Sequence, residues 1–158
     1  GRPAGGNMLK KGGPVMRRLY VGVATVLLLW AEAALAWETP ARGTPTRAAL
    51  MDAIRPTAQY ILGAPVEFVV YELRRSGDVA FAMLHAQRPG GVQIDHASTP
   101  AVQRGEMEAW EDVTDAQVFY RWTGGVWVVE DYAFGATDVW FAGEPFCSRY
   151  RAVISDFC

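Results

Sequence analysis

From residue 37 to its end this chain contains no lysine, and its only two histidines and two cysteines fall in its second half. Each scarcity narrows the chemistry. The cysteines, Cys147 and Cys158, lack the spacing of a zinc or redox pair, and His85 and His96 form no His-x-His or His-x-x-x-His. No metal or other cofactor is expected. The sequence also lacks a nucleophile elbow, a phosphate loop and a dinucleotide fingerprint, and Gly12-Gly13 and Gly90-Gly91 are too sparse to cradle phosphate. The carboxylates Glu106, Glu108, Glu111, Asp112 and Asp115 lack the ligand spacing of a calcium loop and read as a solvated face. The missing lysines reflect genome composition more than chemistry.

What is present begins with an export pattern. Met16 is followed by Arg17-Arg18, an uncharged run of 12 residues from Leu19 to Trp30, and Ala34-Leu35-Ala36. Basic, apolar and small-residue parts in that order predict a cleavable signal peptide over 16–36. The run is shorter than the about 20 residues a membrane span needs, and Glu32 blocks its extension, so no stable anchor is expected after cleavage. Residues 1–15 read as upstream translation or an expression remnant. The mature chain would be 122 residues, a single domain over 45–158 behind a flexible leader at 37–44. It carries 10 Arg against 16 Asp plus Glu, a net charge of −6. A surface of that sign repels phosphate backbones, which excludes nucleic acid as a partner. In a periplasmic or extracellular compartment Cys147 and Cys158 are expected to form a disulfide that pins the last dozen residues.

The element signals are ordered. Thr44 and Pro45 open a helix whose apolar stripe is Leu50, Met51, Ile54, Ala58, Ile61 and Leu62. Pro56 inside this stripe predicts a kink after Ile54. Strands at 66–75 and 79–87 flank Ser76-Gly77-Asp78, and strands at 116–123 and 126–134 flank Gly124-Gly125. Thr99-Pro100 marks a short helix, and residues 146–154 a last helical turn. Helix, hairpin, irregular segment, hairpin and tail predict an α+β domain with a kinked helix on an antiparallel sheet of about four strands.

Side-chain parity then assigns faces. Trp122 should oppose Trp127, Tyr120 oppose Val129, and Val118 oppose Asp131. In the first hairpin Phe68, Val70, Phe81 and Met83 should share a face with Glu72 and His85, leaving Val69, Tyr71, Leu73, Ala82 and Leu84 opposite. Both faces are apolar, whereas a half-wet sheet would alternate. One helix can cover only one of them. The other needs the tail, the 92–114 segment, a partner subunit such as a second copy in a homodimer, or a ligand.

Asp131 among Trp122, Tyr120 and Trp127 would be a desolvated carboxylate suited to acid–base work. His85 beside Glu72 is a second candidate base, although a packed, hydrogen-bonded histidine is the plainer reading. Tyr120, Trp122, Trp127 and Trp110 are the candidate ligand-binding aromatics, with Trp140 a further one.

Three features carry a resemblance: the helix through Ile54-Arg55-Pro56, the strand at Val66–Arg75 and the closing hairpin from Arg121 through Trp122-Thr123-Gly124-Gly125-Val126-Trp127 to Val129. On these the chain resembles the NTF2-like and cystatin-like α+β superfamily over about residues 45–135, and resembles small exported bacterial proteins within it. The resemblance implies a curved sheet with a concave side. It does not select a function, since one fold hosts many. The expectation is a non-catalytic binding domain that engages a small apolar ligand or a protein through that side. The alternatives are an NTF2-like enzyme using Asp131 or His85 with Glu72, or a secreted inhibitor or immunity-type protein.

Overall fold

The computed structural model describes residues 1–6 and 37–158. The expected signal peptide at 16–36 lies outside the described residues, as does most of 1–15. Of the two compact units of the chain, Gly1–Ala34 and Leu35–Cys158, the second holds every helix and strand considered below. It is α+β. Helix α1 (Pro45–Leu62) leads, and strands β1 (Glu67–Ser76) and β2 (Val79–Gln87) form a hairpin. A 3₁₀ turn (His96–Ser98) and the four-residue α2 (Pro100–Gln103) fill the middle. The second hairpin is β3 (Asp115–Trp122) and β4 (Trp127–Phe134), and α3 (Phe146–Ile154) with a second 3₁₀ turn (Ser155–Phe157) closes the chain. The four strands make one open antiparallel sheet in sequence order.

The Thr44 hydroxyl caps α1 by accepting from the Arg47 N–H at 3.4 Å, and Gly63 ends the helix at φ +80°. The expected kink is absent: α1 runs unbroken through Pro56. Two features explain this. Pro56 and Asp52, whose carbonyl loses its helical donor, are both exposed, so the orphan acceptor need not be buried unpaired. The buried stripe also continues on both sides of the ring, with Leu50, Met51 and Ile54 before it and Ala58, Ile61 and Leu62 after it in one core. Bending at Pro56 would pull one half off the sheet.

Both sheet faces carry core, as their composition implies. Helix α1 packs on the first, against Leu73, Ala82, Leu84, Val118, Tyr120, Trp127 and Phe134. On the second, Phe81 and Phe119 meet Phe141 and the α3 residues Tyr150, Val153 and Ile154. The chain's own tail therefore takes the place foreseen for a ligand or partner over this part of the sheet. It is held there by Arg74, a buried arginine from the second face. Arg74 donates to the Val153 carbonyl at 3.0 Å, pairs with both oxygens of Asp156 at 2.6 and 3.0 Å, and lies 4.2 Å over the Trp37 ring. Cys147 and Cys158 are disulfide-bonded across α3. Residues of the leader are joined to β1, since Glu38 and Arg75 exchange two backbone hydrogen bonds of 2.8 Å.

Each edge strand is broken by a bulge, at Tyr71 in β1 and at Glu130 in β4, while β2 and β3 pair without interruption. An extra residue inverts the parity beyond it. This overturns part of the face assignment. Trp122 opposes Trp127 and Tyr120 opposes Val129 as expected, but Asp131 opposes Phe119, not Val118. In the first hairpin Phe68 and Val70 lie on the α1 face with Leu84 and Ala86, and Val69 lies with His85 on the other.

Candidate functional site

Helix α3 covers only one end of the second face. At the other end Val69 and Tyr71 of β1 are exposed, Tyr71 by 62%. Between them and the start of β3 sits His85, near the end of β2 and directly opposite Asp115. The imidazole Nδ1 is 2.8 Å from Asp115 Oδ1 and 3.5 Å from Thr114 Oγ1. Its Nε2 is 2.8 Å from the side-chain oxygen of Gln93. That amide is oriented by its own donor, which bonds the Gly91 carbonyl at 3.1 Å. The Tyr71 ring lies 6.2 Å from the imidazole.

The second histidine belongs to the same cluster. The Asp95 side chain caps the 3₁₀ turn by accepting from the Ala97 N–H at 3.3 Å, and so directs His96. His96 Nε2 stands 3.3 Å from Asp112 Oδ1, which also accepts from the Thr114 hydroxyl at 2.6 Å. Gly135 makes this convergence possible. It has φ +75°, and a Cβ there would meet the Asp112 carbonyl at 2.8 Å, so only glycine lets β4 end against this segment.

Each ring nitrogen of His85 faces an oxygen acceptor. Only the doubly protonated imidazolium donates to both. Burial opposes that charge, yet the bonds to Asp115 and Gln93 together with the charges of Asp115 and Asp112 outweigh it and raise the His85 pKa above its ordinary value. The Thr114 hydroxyl lowers the Asp112 pKa, against a smaller opposing effect of burial. Thr114 is itself buried, and its hydroxyl donates to Asp112. Among the described residues no group of three or more His, Cys, Asp or Glu is placed to hold a metal ion, and no helix is long and apolar enough to cross a membrane.

The residues singled out in the sequence do not form one site. Asp131 is exposed and bonds the backbone N–H of Tyr132, because the bulge at Glu130 turns it away from Trp122, Tyr120 and Trp127. Glu72 lies on the His85 face but is taken by Arg74 at 2.7 Å, so the carboxylate of His85 is Asp115. Tyr120 is sealed beneath α1. Trp127 is buried beside it, with Trp122 half-exposed at 5.5 Å from the Trp127 ring. Trp110 is 80% exposed on the segment before β3. Trp140 is part of the α3 packing and donates to Gln117 at 2.8 Å. Sequence reading missed Asp115 and Gln93 as partners of His85. The available signal was Asp115 at the mouth of β3, but its use required the β2–β3 register, which no turn between those strands sets.

No protein-family model, curated protein or solved structure matches this chain.

Proposed function

We propose that the chain is an exported, non-catalytic binding domain that engages a protein partner through the open end of its second sheet face. The observation that carries this reading is the pair Val69 and Tyr71, exposed on a face whose other end is closed by α3. They put apolar area beside a polar centre, His85 and Asp115. That is the composition of an interface core with a polar anchor. A small apolar ligand is the weaker choice, because the deep part of this face is filled by α3 and its neighbours. The net charge of −6 from residue 37 onward favours a basic partner. The disulfide fits an oxidising compartment and supports export. The placement of a long N-terminal helix across an antiparallel sheet supports an NTF2-like or cystatin-like reading of the fold.

The His85–Asp115 pair supports a second reading, a proton-transfer enzyme. It is disfavoured because Nε2, the nitrogen such a base would use, is already bonded to Gln93.

The test is a photo-crosslinking residue placed at Tyr71 in the native host, with the same residue at Tyr60 on exposed α1 as the control. The binding reading expects a discrete adduct of one protein from position 71 and none from position 60. Equal adducts from both, or none from either, would remove it.

A further inference from the structure

The segment between β2 and the 3₁₀ turn is a strap lying along the end of the sheet. Ile94, 5% exposed, plugs it into the first core at one end. At the other, Arg88 is fixed by its guanidinium, which donates to the carbonyls of Leu62, Gly63 and Pro65 at the close of α1. Between these posts run Pro89, Gly90, Gly91, Val92 and Gln93. The two glycines take φ +81° and +82°, and Val92 is exposed. Little apolar burial holds this stretch. Its ties are the Arg88–Val92 backbone bridge, a Gly91-to-Arg88 turn, a long 3.5 Å bond from the Gln93 amide to Gln87, and the Gln93 side-chain oxygen on His85.

The last tie depends on a proton. With both ring nitrogens protonated, His85 donates to Asp115 and to Gln93. A neutral ring has one donor. Asp115, the charged acceptor, keeps it, and Nε2 then turns a lone pair on the Gln93 oxygen at 2.8 Å. Gln93 cannot simply rotate its amide, because its donor is engaged by Gly91 and faces Gln87 at 3.5 Å. We propose that His85 is a proton-operated latch: the strap from Pro89 to Gln93 is held on the sheet while the imidazole is charged and is released when it loses a proton. The groups that face the latch are Asp115 from β3, Asp112 and Thr114 from the segment before it, and the Tyr71 ring from β1. Among the described residues His96 reaches it through Asp112. Glu67 bonds Gln87 and Glu72 pairs with Arg74, so neither carboxylate competes. The inference does not depend on the binding reading, since the latch operates on the chain alone. Where both hold, rising pH frees the strap beside the polar centre of that surface.

The test uses the full chain and its two histidines, whose imidazole nitrogens are resolved individually by NMR. His85 should titrate above about 6.5. Through that same transition the amides of Arg88 and Gly91 should lose hydrogen-exchange protection, by about tenfold after correction for base catalysis, while that of Ala82 in the sheet core keeps it. His85→Gln should abolish the pH dependence, and His96→Gln should leave it intact. Gln93→Ala, a surface change that spares the sheet, should lower the His85 pKa and leave the strap unprotected at every pH. Strap protection that ignores the His85 transition, or that follows His96, overturns the latch.

Discussion

Tyr120 is where burial and chemistry conflict most. Its ring fills the core under α1, its hydroxyl has no hydrogen-bond partner among the described residues, and burial pushes its pKa well up. An orphan buried hydroxyl costs stability, so Tyr120→Phe should leave Tm unchanged or raise it by about 3 °C. A drop in Tm would mean that the hydroxyl has a partner. The His85 cluster sets a pH window. The His85 pKa is raised, so its contribution is whole below the unfolded value of about 6.5 and fades as pH rises through the folded one. The Asp112 pKa is lowered, so its contribution is whole above about 3.9 and fades as pH falls through the folded value. Thermal melts should therefore show a plateau between about pH 4 and 6.5, and His85→Gln should remove the decline on its alkaline side. At this scale the sequence was only partly legible. His85 stood out by rarity, yet its partners come from a loop and from a strand joined to β2 by 27 intervening residues, and no local pattern encodes that pairing.

Among the elements, the strands and α1 were legible because turn chemistry and apolar period act locally. Gly124 supplies φ +82° in the second hairpin, and the six-residue stripe of α1 is the buried set observed. The bulges were not legible. Nothing in Val69-Val70-Tyr71-Glu72 or Val129-Glu130-Asp131 announces an extra residue, and a one-residue slip moves every later side chain to the other face. That slip is why Asp131 left its aromatic neighbours. Pro56 is the clearest case of tertiary packing overriding local preference. Because α1 stays straight around it, Pro56→Ala restores a backbone donor to Asp52 at no cost in shape. It should raise stability by about 1 kcal/mol, the helix gain being partly offset by a freer unfolded chain. Chemical denaturation measures this, and a loss would show that the proline ring itself packs.

For the whole domain, the question posed by two apolar faces is answered largely from within: α1 takes one, and α3 with its aromatic neighbours takes one end of the other. The tail is a closing layer, which gives the disulfide a structural role. Cys147 and Cys158 are 11 residues apart, and a loop of that length is worth about 2.5–3 kcal/mol by its effect on the unfolded chain. Replacing both by serine should lower stability by about that amount and loosen α3 before the sheet, as hydrogen exchange of the Tyr150 and Val153 amides would report. Simultaneous loss across β2 and β3 would contradict a layered role. The central claim is that one sheet face is divided, sealed under α3 and open beside His85. A soluble paramagnetic agent added to the labelled protein tests it most directly. Val69 methyl and Tyr71 ring signals should broaden strongly, while those of Phe81, Phe119 and Val153 stay sharp; a protected Val69 and Tyr71, or a broadened Phe119, would contradict the account.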